Sequence, residues 1–409
     1  MEWEVSITRN YSVSLKIDYD VIIAGCGISG LLLAWNLSRK FRVLIIEDQK
    51  QLPRNKYWLT DDQSLKENES LSNCVDSIYE TMDFISYDDF TARVNGPYIL
   101  WNTNKLLGHL VNNNLAQGVE ILYRHRFYSY QNHKKYISVK CENKNITCKL
   151  LVDCMGYKSP LMKAKSVIDI LGYYLMVGAT YKTKKEVAPI ALHNVTINDK
   201  PSYFELFPTS EGRAHAALIL PARSYDSRRQ LAEEFSYLAT RSNYATILDA
   251  ESRAEKEPLY GIIPVGHLRK VALDRIFFFG EAGQFNPATS ATGLTRMLRT
   301  HRAVGSFLMQ RLENNELCEK SLSHKSILAM SNANRYFHQA LFERILNLNS
   351  DGFKEFVMEI DSMDGEDVNN FIFADYDFSD VNGVLKTIFH SSKNVRMSAI
   401  NSIKYMFKL

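Results

Sequence analysis

The feature that most constrains the fold of this chain is a glycine-rich segment between two short apolar stretches. Residues 21–24 (Val-Ile-Ile-Ala) and 42–47 (Arg-Val-Leu-Ile-Ile-Glu) have the apolar, β-branched character of buried strands. Between them Gly25, Gly27 and Gly30 stand in the spacing G-x-G-x-x-G and open an apolar helix. The first glycine allows a tight turn, the second lets the backbone approach a pyrophosphate, and the third permits close helix–strand packing. The segment therefore predicts a β-α-β unit that binds a dinucleotide.

The start of the predicted helix supplies the rest of the phosphate site. Ile28 and Ser29 lie at its N-terminus, where free N–H groups and the helix dipole favour an anion. Glu47, which ends the second strand, can accept both hydroxyls of an adenosine ribose and would repel a phosphate in their place. A purely structural glycine-rich turn is the alternative.

The remaining chain alternates between strand and helix patterns. Residues 150–154 form another buried strand, and residues 173–222 alternate apolar and polar positions, as an antiparallel sheet with one wet face does. Helical periodicity occupies residues 227–248 and resumes at Leu294, just after a buried strand at residues 275–280. A parallel nucleotide-binding sheet is thus split by an inserted antiparallel sheet and then resumed.

Composition excludes several classes of protein. Hydrophobic residues make up 45% and charged residues 23% of the 409 residues, which excludes a disordered or coiled-coil chain. A net charge of +3 is too balanced to indicate a nucleic-acid partner.

The six cysteines show no C-x-x-C spacing and no Cys/His cluster, so we expect no metal site and a reducing compartment. No signal-peptide pattern opens the sequence, and we expect a cytoplasmic protein. The 22 Tyr and 21 Phe indicate a large apolar or planar ligand.

A second glycine segment resembles that of the flavoprotein hydroxylases. Residues 277–283 read Phe-Phe-Phe-Gly-Glu-Ala-Gly, where that superfamily carries a strand followed by Gly-Asp-Ala. The resemblance implies FAD as the cofactor, with Gly280, Glu281 and Ala282 beside it. Glu281 replaces an Asp that contacts the ribityl chain, and its extra methylene shifts that contact. An ordinary glycine-rich loop is the alternative.

Three further places extend this resemblance. The turn Asp153-Cys-Met-Gly156 is similar to the superfamily's turn beside the adenosine half of FAD, which implies that Asp153 and Gly156 contact the cofactor. Lys105 stands where the hydroxylases carry an Arg that contacts FAD.

The third place is the segment that leads into the helix at Leu294. The resemblance implies that backbone N–H groups at Ala291, Thr292 and Gly293 face the pyrimidine edge of the flavin, where they stabilise a reduced, anionic ring.

Within that superfamily the chain is most similar to the lycopene cyclases. Residues 286–293 (Asn-Pro-Ala-Thr-x-x-x-Gly) are similar to their His-Pro-Ala-Thr-Gly-Tyr-Ser segment, and residues 207–210 (Phe-Pro-Thr-Ser) to one of their strands. Residues 334–342 resemble the run Asn-Arg-x-Phe-x-x-x-Leu-Phe of their C-terminal helical part. The resemblance implies an enzyme in which an acid protonates a polyene end, and reduced FAD stabilises the resulting cation without net redox change.

The acid itself is where this chain departs from the family. The family's paired acids fall near residues 214–218, where no carboxylate stands. Glu205 is the nearest carboxylate flanked by aromatic residues; an apolar pocket would raise its pKa and leave a protonated general acid. A Glu205 that points to solvent from an edge strand is the alternative. His215 is a second candidate donor, unless it is merely packed, and Asp61 a third, unless its loop is simply solvated.

The C-terminal segment is strongly polarised in charge. Residues 351–380 hold ten acids and one Lys, whereas residues 381–409 hold five bases and no acid. Ile400, Ile403 and Phe407 fall at helical spacing among these bases. A basic amphipathic helix of this kind predicts either peripheral contact with an anionic membrane or packing against the acidic stretch.

Together the patterns predict an α/β fold with a Rossmann-like FAD-binding domain, an inserted antiparallel β-sheet substrate domain and a C-terminal helical cap. The predicted ranges are 1–170 for the FAD-binding part with the fingerprint, 171–265 for the inserted sheet, 266–310 for the return to the FAD-binding domain and 311–409 for the helical region. We expect a lycopene-cyclase-like enzyme acting on an apolar isoprenoid or polyene. The alternatives are an FAD-dependent monooxygenase or dehydrogenase of secondary metabolism, and a flavin-binding protein without catalysis.

Overall fold

The glycine segment lies at the carboxyl edge of a largely parallel sheet, called here the nucleotide sheet. The computed structural model of the protein describes residues 17–52, 56–163, 167–197, 200–225, 228–255, 257–323, 332–363 and 365–373. In these residues the nucleotide sheet has eight strands: β1 (Tyr19–Ala24), β2 (Val43–Glu47), β6 (Glu120–Tyr123), β7 (Phe127–Asn132), β8 (Ile137–Cys141), β9 (Lys144–Asp153), β16 (Ala272–Leu273) and β17 (Ile276–Phe278). Strands β17, β9, β1, β2 and β6 run parallel in that order, so the predicted β-α-β unit is confirmed.

A second, larger sheet is mostly antiparallel and is called here the antiparallel sheet. Its nine described strands are β3 (Tyr57–Asp61), β4 (Val75–Ile85), β5 (Thr91–Asn102), β10 (Ile168–Thr183), β11 (Ile190–Ile197), β12 (Lys200–Thr209), β13 (Arg213–Ala222), β14 (Leu248–Asp249) and β15 (Leu259–Leu268). The alternation over residues 173–222 is thereby explained. Three of these strands, β3, β4 and β5, come from the range 1–170 assigned from the sequence to the FAD-binding part. They join the other sheet because β4 pairs in parallel with β11, a long-range contact that no local pattern encodes.

Helices cover both sheets. In the described residues they are α1 (Ile28–Leu37), α2 (Asp62–Lys66), α3 (Thr103–Ala116), α4 (Arg228–Arg241), α5 (Gly293–Glu313), α6 (Glu319–Leu322), α7 (Asn332–Ile345), α8 (Ser350–Ser362) and α9 (Gly365–Phe373). Strand β1 is buried on both faces: Val21 and Ile23 share a core with residues of α1, α3 and α5, and Ile22 shares the opposite core with strands β7 and β8. This double burial explains its unbroken apolar run.

The two faces of the antiparallel sheet are covered by different helices. Helix α4 packs on one face through Leu231 and Phe235, while α8 and α9 lie over the other with Phe353 and Phe371 in its core. Within the described part of the chain, no helix is long and apolar enough to cross a membrane. The basic segment of residues 381–409 lies outside the described residues.

Candidate active site

The glycine segment forms a cradle that fits a pyrophosphate. Gly25 has φ +108°, and a Cβ atom there would lie 2.5 Å from the carbonyl oxygen of Cys154. A Cβ atom at Gly30 would lie 2.1 Å from the carbonyl oxygen of Gly25, so only glycine allows α1 to approach the strand this closely. Around Gly27, by contrast, no described atom lies within 4 Å of a Cβ position. This open space at the N-terminus of α1 leaves room for a phosphate to reach the backbone.

Glu47 and Ser29 lie on either side of this cradle. Glu47 ends β2, and its Oε2 accepts a hydrogen bond from the N–H of Cys26 (2.8 Å). Ser29 is buried in the first turn of α1, and a Cβ atom at Gly280 would lie 2.1 Å from its Oγ. The two glycine segments, 250 residues apart in sequence, therefore meet at the start of α1. Ile28, also in this turn, reaches the cavity described below.

The turn after β9 brings Gly156 against Glu281. Asp153 is fully buried, and its carboxylate accepts hydrogen bonds from the N–H of Met155 (3.0 Å) and from the hydroxyl of Ser159. Burial raises the pKa of Asp153 to about 6. Through its two hydrogen bonds, the Asp153 side chain shapes this turn. Gly156 has φ +59°, and a Cβ atom there would lie 2.5 Å from Oε2 of Glu281.

Glu281 lies in the wall of the cavity, and its pKa depends on its burial and on the groups around it. Burial raises the pKa of Glu281 to about 7, an effect that the positive charge of Lys56 and the N–H of Tyr157 partly offset. Lys56 immediately precedes β3, and its backbone N–H donates to Thr103 Oγ1 (3.0 Å). No sequence pattern had indicated a role for this lysine. Lys105, the base expected to contact FAD, is exposed in the first turn of α3.

Residues 286–293, which lead into α5, are the segment that the sequence resemblance places beside the flavin; they are called here the flavin-side segment. Ala291 has φ +55°, and Thr292 is the N-cap of α5 without a side-chain capping bond. The N–H of Ala291 donates to the carbonyl oxygen of Pro287 (2.9 Å), and the N–H of Gly293 donates to the carbonyl oxygen of Ala291 (2.8 Å). A Cβ atom at Gly293 would lie 1.8 Å from Oδ1 of Asn286. Asn286 and residues 291–293 line the cavity, whereas Ala282 is buried in the core beneath.

An apolar cavity of about 250 Å³ extends from this segment to the antiparallel sheet. Its aromatic lining includes Tyr57, Tyr174, Tyr203, Phe207, Phe353 and Phe371. Among the described lining residues, Glu205 and Glu281 are the carboxylic acids. Glu205 belongs to β12, which lies between β11 and β13 and is not an edge strand, so the solvent-facing alternative is wrong.

Strand geometry explains why Glu205 faces the cavity. Successive residues of a strand point to opposite faces. Phe204 and Leu206 pack toward α4, and Tyr203, Glu205 and Phe207 line the cavity. No hydrogen bond or ion pair within the described chain reaches the Glu205 carboxyl group, and burial alone raises its pKa to about 8. Glu205 is therefore mostly protonated at neutral pH.

The structure places the other two candidate acids differently. His215 is buried, tilted against the ring of Tyr57 (centroids 5.5 Å apart), and burial together with Lys56 lowers its pKa to about 4. A neutral imidazole is a poor proton donor at neutral pH. Asp61 caps α2 by accepting from the N–H of Ser64 (3.0 Å) and forms an ion pair with Arg299. Neither His215 nor Asp61 belongs to the described cavity lining.

Comparison with known proteins agrees with this geometry. The model of the family described as lycopene cyclase protein matches residues 20–396. The chain belongs to the lycopene cyclase family. FAD is accordingly its cofactor, and the cradle at Gly27 and α1 fits that group. A comparison with curated protein sequences found no match.

Solved structures show the same fold as this lycopene cyclase family member. A geranylgeranyl bacteriochlorophyll reductase-like protein from Thermoplasma acidophilum has a TM-score of 0.73 at 12% identity, over 94% of this chain and 99% of that chain. A flavoprotein/dehydrogenase from Cytophaga hutchinsonii has a TM-score of 0.69 at 14% identity, over 94% and 100%. A variant of the halogenase PltM in complex with FAD has a TM-score of 0.64 at 12% identity, over 96% of each chain.

In this family member the flavin-side segment is hydrogen-bonded to α9, one of the helices over the cavity. The hydroxyl of Ser290 and that of Thr292 (3.1 Å) both donate to the carbonyl oxygen of Ile372 at the end of α9. We expect the double variant Ser290→Ala/Thr292→Val to speed amide hydrogen exchange in α9 by roughly tenfold, because two hydrogen bonds that hold the helix are lost. Hydrogen-exchange mass spectrometry of the FAD-loaded protein measures this.

Ser362→Ala is the matched control for this prediction. Its hydroxyl also donates to a backbone carbonyl, that of Glu359 (2.8 Å), but within α8. We expect this variant to leave exchange in α9 unchanged. Equal protection of α9 in the double variant and the wild type would show that these bonds do not hold the helix in place.

Proposed function

We propose that this protein is an FAD-dependent cyclase that protonates an apolar isoprenoid or polyene substrate, with Glu205 as the general acid. The observation that carries the proposal is a mostly protonated carboxylic acid in an aromatic cavity that continues to the flavin-side segment. General acid catalysis needs a group that still holds its proton at the working pH, and burial keeps the proton on Glu205.

The geometry supports an assignment of the residues that hold FAD. The cradle at Gly25, Gly27 and Gly30 receives the pyrophosphate, and Glu47 receives the ribose at the end of β2. Glu281 and the N-terminus of α5 face the flavin half. When bound in its reduced form, FAD supplies an electron-rich ring beside the substrate cation.

The protein's own part is a balanced proton transfer. The Glu205 carboxyl group gives its proton to a terminal carbon–carbon double bond, which leaves a tertiary carbocation on the substrate. The next double bond attacks that cation and closes the ring. Loss of a proton from the ring to the Glu205 carboxylate then restores both the acid and a neutral product. The product is an isomer of the substrate, so no oxidant or reductant is consumed.

Two features of the cavity support this chemistry over addition of water. Its aromatic and aliphatic lining excludes water, which would otherwise capture the cation. Helices α8 and α9 cover it, and α9 accepts two hydrogen bonds from the flavin-side segment at Ile372.

A flavin-dependent reduction or hydroxylation is the second candidate. Residues 214–218, where the resemblance places the paired acids of lycopene cyclases, hold no carboxylate. The similar structures include a reductase-like protein and the anhydrotetracycline hydroxylase OxyS from Streptomyces rimosus. In that case substrate would gain two hydrogens or one oxygen, and flavin would end oxidised.

The two candidates are separated by one anaerobic experiment. Protein loaded with FAD is reduced with dithionite, mixed with lycopene in detergent micelles in deuterated buffer, and followed by flavin absorbance and product mass. We expect an isomer that carries one deuterium per ring formed, with the flavin still reduced. Oxidation of the flavin with a gain of two hydrogens, or a gain of oxygen after air is admitted, would support the second candidate instead. No product of any kind would favour a flavin-binding role without catalysis.

A further inference from the structure

Phe207 is the aromatic residue best placed to meet a positive charge formed at Glu205. The two residues are separated by one position on β12, so their side chains leave the same face of the sheet about 7 Å apart. Both line the cavity, and Phe207 is 6% exposed. A cation created by proton transfer from Glu205 therefore forms within reach of this ring.

The faces of the Phe207 ring are not occupied by other rings. No aromatic ring of the described residues stacks against Phe207. Tyr203, on the other side of Glu205, is instead packed against Tyr174 (centroids 6.2 Å apart) and Phe353 (5.8 Å). Phe353 in turn also contacts Phe356 (5.9 Å). Of the two aromatic residues that flank Glu205 on this face of β12, Phe207 is therefore the one without a described ring contact.

The neighbour of Phe207 on the next strand does not oppose a cation. His215 pairs directly with Phe207 across β12 and β13, so both side chains lie on the same face of the sheet. Because its pKa is lowered to about 4, His215 carries no charge at neutral pH. In a largely apolar cavity of this kind, the negative face of an aromatic ring is a main source of stabilisation for a cation.

We propose that Phe207 is a catalytic residue whose ring face stabilises the carbocation formed beside Glu205. This inference rests on the proposed function and adds a residue to it: Glu205 creates the cation, and Phe207 lowers the free energy of the transition state that leads to it. It also restricts the substrate class to molecules in which protonation of the terminal double bond leaves the positive charge on a compact tertiary carbon that fits against one ring.

The test uses a stable cation in place of the short-lived one. The FAD-loaded protein carries Glu205→Gln, so that this carboxylate cannot attract the cation. In this background Phe207 is replaced by phenylalanine analogues with one, two or three ring fluorines. Fluorination withdraws electron density from the ring face while keeping its shape. Calorimetry compares the affinity for hexyltrimethylammonium with that for its uncharged isostere, in which carbon replaces the nitrogen.

We expect the affinity ratio of cation to isostere to fall stepwise with each fluorine, by about tenfold over the series. The same analogues at Phe204, whose ring packs on Tyr244 (centroids 4.1 Å apart) on the opposite face of β12, are the matched control and should leave the ratio nearly unchanged. A flat series at Phe207, an equal fall at Phe204, or no binding of either compound overturns the inference.

Failure of this inference differs from failure of the proposed function. If Glu205→Gln abolishes conversion of lycopene but the fluorine series is flat, Glu205 remains the acid and Phe207 is only a packing residue. If Glu205→Gln converts lycopene at the wild-type rate, the proposed function fails whatever the series shows.

Discussion

Replacing Glu205 with glutamine is expected to lower kcat for cyclisation by about 10²- to 10⁴-fold, which is the usual contribution of a general acid. The amide has nearly the size and shape of the protonated carboxyl group, but it holds no proton acidic enough to give to an alkene. Substrate binding to the apolar cavity should change little, so KM should stay within a few-fold of the wild-type value. Steady-state kinetics with the FAD-loaded protein measures both constants.

The control for this variant is Glu211→Gln. Glu211 is exposed in the turn between β12 and β13, and its replacement should leave kcat unchanged. The pH profile of the wild type gives an independent check. Because the acid must be protonated and the pKa of Glu205 is raised to about 8, activity should be level below that pH and decline above it. Wild-type turnover in Glu205→Gln, or activity that rises with pH through this range, would rule out Glu205 as the acid.

The second large effect is expected at the glycine cradle, where two substitutions should act on different properties. Gly27→Ala places a methyl group in open space, so the apoprotein should keep its stability while losing about 100-fold in FAD affinity, because the phosphates no longer reach the backbone N–H groups. Gly30→Ala places a methyl group 2.1 Å from the carbonyl oxygen of Gly25. We expect it to destabilise the apoprotein by roughly 3 kcal/mol, since α1 must move off β1.

Urea unfolding of the apoproteins and fluorescence titration with FAD separate these two effects. Gly108→Ala is the control: it lies exposed within α3 with no described atom near a Cβ position, and it should raise stability slightly without affecting FAD binding. If Gly27→Ala bound FAD as tightly as the wild type, or unfolded as readily as Gly30→Ala, the assignment of the cradle would be wrong.

The nucleotide-binding half was accessible from the sequence because its signals are local. The G-x-G-x-x-G spacing, the apolar strand before it and Glu47 after it all lie within thirty residues, and each encodes a backbone requirement. The second glycine segment and the resemblance to lycopene cyclases then predicted that the dinucleotide is FAD. The position of Lys56 had no such signal, because what matters is its proximity to Glu281, which is far away in sequence.

The aromatic residues that flank Glu205 identified it as a candidate acid in the sequence, but they did not show what covers that face of the strand. That depended on the neighbours of β12, on the helices α8 and α9 from the far end of the chain, and on strands β3 to β5, which the sequence had assigned to the other domain. Asp61, the third candidate donor from the sequence, is instead paired with Arg299 of α5.

The amino-acid sequence by itself thus determined the dinucleotide site, the class of fold and a short set of candidate acids. Only the tertiary structure distinguishes those candidates, because whether a carboxyl group keeps its proton at neutral pH depends on its surroundings rather than on its neighbours in sequence. Glu205 is half-buried in an apolar cavity without a described partner, and its pKa is raised, whereas Asp61 is held in an ion pair and His215 is kept neutral by desolvation. Desolvation of this kind is assembled from segments hundreds of residues apart, which is why no local pattern could reveal it.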